Sequence, residues 1–267
     1  MLVAARCASF LHWLSMRSLF HRRAPKPPVE LVPTVFPRIA GADIAASFAA
    51  RRVAGDFYDS VRVSPERVLF GLLDLAGRRE DNRSLLAAAQ EIFRKNGAEL
   101  FSRPDLNESD AMTELGLHIN RHLIEVSSGV HSCPAFIACY HERFGTLCYT
   151  NAGHTPGLLR DNTGITELGS TGLPLGLFSH ATADAPTVGL AKGAVLLLVS
   201  RGLVECEGHK LWSDEEFGLE RVKQFLLAAP PGSAQTLCVS ILDAVGKFTG
   251  ATPLRDDRTA LAFVRAS

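Results

Sequence analysis

The stretch Arg67-Val68-Leu69-Phe70-Gly71-Leu72-Leu73-Asp74 is a continuous apolar run that ends on a carboxylate. Such a run predicts a strand, and the absence of apolar–polar alternation predicts that both faces of the strand are buried. Burial on both faces makes Asp74 conspicuous, because a charged side chain is then expected at the end of a core element.

Predicted helices and predicted strands flank this strand, and each type occurs in groups along the chain. Helical spacing of apolar residues predicts helices at 79–101, 108–127, 214–228 and 233–248. Further strands are predicted at 42–50, 56–64, 135–140, 146–150, 157–160, 165–168, 194–200 and 259–264. Because strands and helices are grouped rather than strictly alternating, the pattern favours layered α+β architecture over a doubly wound parallel sheet.

Composition narrows the function classes. The chain has 267 residues, 46% of them apolar, which suits a single globular domain. Its 28 basic and 28 acidic residues cancel, so no overall charge attracts nucleic acid or an anionic membrane. The six cysteines form no CxxC pair or zinc-ligand spacing, which predicts free thiols and a cytoplasmic location.

The N-terminal part divides into two segments before the domain, which we expect to occupy residues 40–267. Residues 1–23 mix apolar and basic side chains, but the uncharged run between Arg6 and Arg17 is only ten residues, against about 20 needed to span a bilayer. They predict an amphipathic helix that packs on its own domain or frays; peripheral contact with a membrane is the less favoured alternative. Residues 24–39 are rich in proline and predict an extended linker.

Three aspartates, Asp56, Asp74 and Asp256, each adjoin a predicted strand although they are far apart in sequence. Strand ends can converge in one core, and two such charges about 4 Å apart repel by roughly 4 kcal/mol at an effective dielectric of 20. A cluster of this kind needs a cation, and oxygen-only ligands suit Mg²⁺ or Mn²⁺. For any one aspartate taken alone, a turn or helix-capping role is the ordinary alternative.

Six ordered motifs carry a resemblance to a known family. They are Gly55-Asp56-Phe57-Tyr58-Asp59, Leu73-Asp74-Leu75-Ala76-Gly77, Asn151-Ala152-Gly153-His154-Thr155-Pro156-Gly157-Leu158-Leu159, Gly172-Leu173-Pro174-Leu175-Gly176-Leu177, Ser200-Arg201-Gly202-Leu203-Val204-Glu205 and Asp256-Asp257-Arg258-Thr259. Over residues 40–265 the chain resembles the SpoIIE branch of PPM-type serine/threonine phosphatases. The resemblance implies an α+β fold, a four-layer α-β-β-α sandwich of two mostly antiparallel sheets with helix pairs on the outer faces.

The resemblance also implies a two-metal centre that hydrolyses a phosphoserine or phosphothreonine protein through metal-bound water. Asp56 and Asp74 match metal-holding aspartates, and Leu75 would contribute only its backbone carbonyl. Asp256 matches a ligand of the second Mn²⁺ or Mg²⁺ ion, which it would share with an aspartate in a Ser-Asp-Gly turn. That aspartate is replaced by Arg201 here, so one ligand position has reversed its charge.

Arg201 changes the expected chemistry because a guanidinium cannot be deprotonated in a protein. It should repel a second divalent ion, and it could form an ion pair or forked hydrogen bonds with Asp256 or Asp74, with Asp256 preferred. The alternative is that Arg201 points outward and the second metal survives with water as the missing ligand.

Two functions remain open at this point: a metal-dependent phosphatase with reduced or uncertain activity, and a catalytically inactive pseudophosphatase that binds a phosphoprotein or regulatory partner. A third possibility is a purely structural module, which predicts no effect of a divalent metal on thermal stability. The preserved aspartates favour the first, whereas Arg201 and the pair Arg78-Arg79 favour the second. Leu73 replaces a family glycine and would restrict the backbone if a positive φ were needed there. His154 and residues 172–176 are interpreted as structural, without a catalytic role.

Overall fold

A computed structural model describes residues 30–49, 55–78, 82–103, 105–126, 131–180, 183–208, 215–250 and 254–266. The strands in these residues are β1 (Ala42–Phe48), β2 (Gly55–Ser64), β3 (Arg67–Leu75), β4 (Ala135–His141), β5 (Thr146–Ala152), β6 (Gly157–Asp161), β7 (Gly164–Leu168), β8 (Thr187–Gly189), β9 (Val195–Val199) and β10 (Thr259–Arg265). The helices are α1 (Arg83–Phe101), α2 (Glu108–Val126), α3 (Arg201–Val204), α4 (Gly218–Ala228) and α5 (Ala234–Thr249).

The strands form two five-stranded sheets that pack face to face. Sheet 1 has the order β2-β3-β4-β5-β8, sheet 2 has the order β1-β10-β9-β6-β7, and the paired strands are antiparallel. Helices α1 and α2 bury their apolar faces on sheet 1, and α4 and α5 do so on sheet 2. The predicted four-layer α-β-β-α sandwich is therefore confirmed.

The apolar strand β3 is buried on both faces, as its sequence predicts. Val68, Phe70 and Leu72 point into the core between the two sheets, which we call the inter-sheet core. Leu69 and Leu73 point the other way, into the core beneath α1 and α2. Because side chains alternate along a strand, the next residue on the inter-sheet face after Leu72 is Asp74.

The same alternation brings four strand ends to one edge of the sandwich. In each strand, an apolar residue of the inter-sheet core lies two positions from a polar residue at the edge. The pairs are Tyr58 and Asp56 on β2, Leu72 and Asp74 on β3, Leu198 and Ser200 at the end of β9, and Leu261 and Thr259 on β10. Polar groups from both sheets therefore meet where the apolar filling of the sandwich ends.

Two short elements were not predicted from the sequence. β8 has three residues and pairs with the edge of β5, and α3 is a single turn directly after β9. Neither is long enough to establish a periodic pattern. Helix α1 begins at Arg83, four residues later than predicted. Asn82, the residue before it, donates a hydrogen bond from its side-chain amide to the carbonyl of Ala76 at 2.8 Å.

The described part of the predicted linker contacts the domain. The Gln90 side chain of α1 donates to the carbonyl of Val32 and accepts from its backbone N–H, both at 2.8 Å. The Phe36 ring stacks on Tyr58 with a centroid distance of 6.0 Å, and Ile39 is buried. The boundary at residue 40 stays a prediction, and residues 1–23 lie outside the described residues. No helix in the described ranges is both long and apolar enough to cross a membrane.

Asp59 fastens α1 to sheet 1. Its side chain is fully buried, and its two carboxylate oxygens accept from Arg94 Nε at 2.6 Å and Nη2 at 2.9 Å. Gln90 donates a further hydrogen bond to Asp59 at 3.2 Å. Asp59 belongs to the first family-like motif, but these contacts give it a structural role, because they engage the carboxylate on the helix side of the sheet.

We predict that Asp59→Asn lowers the free energy of unfolding by about 2–3 kcal/mol, because Arg94 loses the charge of its buried partner while staying partly solvated. Urea unfolding followed by circular dichroism measures the change. Glu207→Gln is the matched control, since the Arg255–Glu207 ion pair is mostly exposed and should contribute less than about 0.5 kcal/mol. Equal effects of the two substitutions would contradict the prediction.

Candidate functional site

The centre of the site is a pair of aspartates on adjacent strands. Asp56 on β2 lies directly opposite Asp74 on β3, and the two residues are 1% and 3% exposed. Directly opposite residues of an antiparallel pair have side chains on the same face. The structure thus brings together two of the three aspartates that the sequence singled out, in a position shielded from water.

Burial and mutual repulsion disfavour the charged forms of both carboxyl groups. The pKa of Asp74 is raised to about 6, first by burial and then by Asp256, with the Arg201 guanidinium acting in the opposite direction. The pKa of Asp56 is raised well above its ordinary value, first by burial and then by Asp74. A cation between the two carboxylates would remove this penalty, because it offsets both the lost hydration and the repulsion.

Gly55 allows the backbones of β2 and β3 to approach closely beside this aspartate pair. It is paired with Leu75, and a Cβ atom at position 55 would lie 2.0 Å from the Leu75 carbonyl oxygen. The side chain of Leu75 is itself buried in the core beneath α1 and α2. Any contribution of Leu75 to the site must therefore come from its backbone, as the resemblance to the SpoIIE branch implies.

The third aspartate reaches the same edge from sheet 2. Asp256 lies in the loop before β10, against the turn that follows β9. A Cβ atom at position 202 would lie 2.3 Å from the carbonyl oxygen of Asp257 and 2.8 Å from Asp256 Cβ, so only glycine fits there. The glycine after Arg201 therefore lets the turn of residues 200–202 touch the loop that carries Asp256.

Asp257 was not assigned a role from the sequence, yet it connects the two sheets. Its Oδ2 accepts a hydrogen bond from the backbone N–H of Asp56 at 3.2 Å, and the residue is 2% exposed. Its own N–H donates to Asp256 Oδ1 at 2.8 Å, and its carbonyl accepts from the Ser200 hydroxyl at 3.1 Å. The only sequence signal for Asp257 was that it directly follows Asp256. That signal predicts neither the burial of Asp257 nor its hydrogen-bond partners.

Arg201 stands between the carboxylates of the two sheets. Its Nη2 is 3.5 Å from Asp256 Oδ2, and its Nε is 3.8 Å from Asp74 Oδ2 and 3.9 Å from Glu205 Oε2. The expected ion pair with Asp256 is thus formed, and a second one joins Arg201 to Asp74. These distances exceed those of forked hydrogen bonds, so the interaction is electrostatic and weakly directional.

Leu73 imposes no strain on the site. It lies within β3, pairs with Phe57 and Ala135, and is fully buried. No non-glycine residue in the described part of the chain has a positive φ, so the expectation of a restricted turn at Leu73 is wrong. The turn comes later, at Gly77, where φ is 105°. Arg78 is exposed, and Arg79 lies outside the described residues.

His154 has the surroundings of a structural residue. It is buried, and burial lowers its pKa to about 4, so the imidazole is neutral near pH 7. Its backbone N–H donates to Asn151 Oδ1 at 2.8 Å, while the Asn151 amide donates to the carbonyl of Leu168 at 3.2 Å. The motif that contains both residues therefore fastens the end of β5 to the end of β7.

The oxygen donors at this edge are of the type that binds a hard divalent cation. Within the ranges that the structure describes, no group of three or more His, Cys, Asp or Glu side chains is arranged to hold a metal ion. Asp56 and Asp74 form a compact pair of oxygen donors, whereas Asp256 is paired with a guanidinium. A second cation next to Asp256 would meet the positive charge of Arg201 at close range.

A family model described as Stage II sporulation protein E (SpoIIE) matches residues 64–265. The chain belongs to the SpoIIE family. It is a family of PPM-type serine/threonine phosphatases, in which metal dependence is general. This SpoIIE-family chain is 22% identical over 158 residues to the phosphoserine phosphatase RsbP of Bacillus subtilis (strain 168), covering 59% of this chain and 38% of that protein. It therefore spans well under half the length of that relative.

Solved structures with this fold include two bacterial phosphatase domains. The SiaA-PP2C domain of Pseudomonas aeruginosa superposes with a TM-score of 0.70 at 19% identity, over 83% of this chain and 85% of that one. The PP2C phosphatase domain of SpoIIE from Bacillus subtilis, with a fragment of its regulatory domain, superposes with a TM-score of 0.67 at 13% identity, over 85% and 64%. At these identities the likeness establishes the fold of the SpoIIE-family chain.

We predict that the metal-free protein loses stability as the pH rises from about 4 to about 6. The folded state holds a proton on Asp74 over this interval and the unfolded state does not, so unfolding becomes easier by about 2–3 kcal/mol. Urea unfolding in a chelator at several pH values measures the slope, and Asp74→Asn should reduce it. An unchanged slope in Asp74→Asn would contradict this origin.

Proposed function

We propose that the chain is a metal-dependent phosphatase of phosphoserine or phosphothreonine proteins that works with one divalent cation and reduced activity. One observation carries the proposal: two buried aspartates face each other at an edge where Arg201 lies within 4 Å of both Asp74 and Asp256. Asp56, Asp74 and the Leu75 carbonyl are the proposed ligands of Mn²⁺ or Mg²⁺. A phosphoprotein is the proposed partner, and nucleic acid is not.

The chain's own residues would divide the work between charge and position. A bound divalent cation supplies Lewis-acid activation of the phosphoryl group and of water. Asp56 and Asp74 hold that cation and, being buried, keep its field from being screened by solvent. Asp257 ties β2 to the loop of sheet 2 and thereby keeps Asp256 close to the pair. Arg201 supplies a fixed positive charge that does not vary with metal concentration.

The alternative is a pseudophosphatase that binds a phosphoprotein without hydrolysing it. The specific observation in its favour is again Arg201, which holds Asp256 in an ion pair at 3.5 Å and so competes with a second metal for that carboxylate. Both functions share the same fold and the same edge of carboxylates, so they differ only in turnover.

We also propose a cytoplasmic location. The cysteines in the described residues are free thiols, and each of them is buried. Unpaired thiols suit a reducing compartment.

We predict that Arg201→Asp raises the kcat for Mn²⁺-dependent hydrolysis of a phosphoserine peptide at saturating peptide by about tenfold or more, because the substitution restores an acidic ligand for a second cation. Initial rates with excess Mn²⁺ measure the effect. The matched control is Arg255→Asp, which makes the same charge change one residue from Asp256 on a side chain that is 80% exposed. Measurable turnover in the native protein favours the phosphatase; turnover only in Arg201→Asp favours the pseudophosphatase. A lower kcat at saturating peptide in Arg201→Asp would contradict the role of Arg201 as the group that excludes a second cation.

We predict that Mn²⁺ raises the thermal stability of the native protein, because a ligand that binds only the folded state stabilises it by about 2.7 kcal/mol at 100 times its dissociation constant. Calorimetry with and without Mn²⁺ detects the shift in melting temperature. Asp56→Asn should lose the shift, whereas Asp161→Asn, a surface aspartate at the β6–β7 turn, should keep it. A native protein without any shift would instead support a purely structural module.

A further inference from the structure

The guanidinium of Arg201 is held in place by charge, but its hydrogen-bonding capacity is not used. Its nearest carboxylate oxygens are 3.5–3.9 Å away, and its side chain donates no hydrogen bond to another residue of the described ranges. The side chain is 51% exposed, so its donors are open to solvent at the mouth of the site. A planar fork of donors in this state is ready to accept an oxyanion.

The acidic surroundings determine when such an anion can bind. Three carboxylates lie within 4 Å of Arg201, those of Asp74, Glu205 and Asp256, and the carboxylates of Asp56 and Asp257 interact with Asp74. A phosphoryl dianion would be repelled by this cluster in the metal-free protein. A divalent cation on the Asp56–Asp74 pair removes much of this negative charge, so anion binding at Arg201 should require that cation.

We propose that Arg201 is the residue that binds the phosphoryl group of the phosphoserine or phosphothreonine substrate, donating two hydrogen bonds to its non-bridging oxygens. This inference rests on the proposed function, since it assigns a substrate contact within the same site. Arg201 lies within 4 Å of both Asp74 and Asp256, so a phosphoryl group bound to it would lie beside the strand edge that carries the Asp56–Asp74 pair. Guanidinium and phosphoryl groups match in shape and charge and bind each other through paired hydrogen bonds.

The ion pairs of Arg201 also orient its guanidinium for an anion. The ion pairs with Asp74 and Asp256 keep the guanidinium directed toward the site without saturating it, because neither contact is a short hydrogen bond. A lysine at this position would supply the charge but not the fork, since its ammonium is a point charge. Arginine and lysine should therefore differ measurably in phosphate affinity.

The test is calorimetric titration of inorganic phosphate into the full chain with saturating Mg²⁺ at pH 7. Arg201→Gln should bind phosphate about 10- to 100-fold more weakly than the native protein, as expected for the loss of charge-assisted hydrogen bonds. Arg201→Lys should fall between the two. Arg255→Gln, which removes an equal charge from an exposed side chain next to Asp256, should stay within about twofold of the native affinity.

Thermal unfolding checks that each variant is folded, and Arg201→Lys keeps the test decisive if Arg201→Gln is not. The proposal is overturned if Arg201→Gln and Arg201→Lys bind phosphate as tightly as the native protein, or if Arg255→Gln weakens binding equally, which would indicate a general field effect. It is also overturned if the native protein binds no phosphate with Mg²⁺ present. Failure of the proposed function is a separate result, because it is measured as absent hydrolysis of the phosphopeptide.

Discussion

The apolar contact between the two sheets positions everything else in this protein. β2 and β3 of sheet 1 and β9 and β10 of sheet 2 alternate their side chains so that one set fills the inter-sheet core. The same period of two carries Asp56, Asp74, Ser200 and Thr259 to the edge where the apolar filling stops. A one-residue slip of any of these strands in its pairing register would turn its polar group to the other face, so the apolar packing also holds the register of the polar edge.

The polar edge is costly for the metal-free fold, and the chain offsets that cost internally. Asp56 and Asp74 are buried opposite each other, which raises the pKa of both. Arg201 opposes this effect for Asp74 and pairs with Asp256, so one positive charge is built into the site itself. Arg201 thus places a positive charge that is part of the chain beside these carboxylates. In the proposed function, this charge limits the number of cations at the edge and contacts the phosphoryl group.

Much of this arrangement was predictable from the sequence. The long elements were predictable from the sequence, because β3 is a continuous apolar run and the apolar residues of α1 and α2 have clear helical spacing. The four-layer architecture followed from the family-like motifs, and the ion pair of Arg201 with Asp256 followed from the same resemblance together with the opposite charges of the two residues. Two local interpretations were not reliable: Leu73 was expected to strain a turn but lies in a regular strand, and Asp257 was passed over although it bridges the sheets. Both depend on which atoms the tertiary contacts bring close.

The sequence by itself determined the fold class, the family and the identity of the charged residues, because periodicity and motif order are properties of the chain. Only the tertiary structure decided that Asp74 is opposite Asp56, that Gly202 touches the loop of Asp256, and that Arg201 reaches both sheets. The most distant of these pairs, Arg201 and Asp74, is 127 positions apart in the chain (201 − 74). These contacts exist because the two sheets pack on a shared apolar core, and no local pattern encodes the relative position of two packed layers.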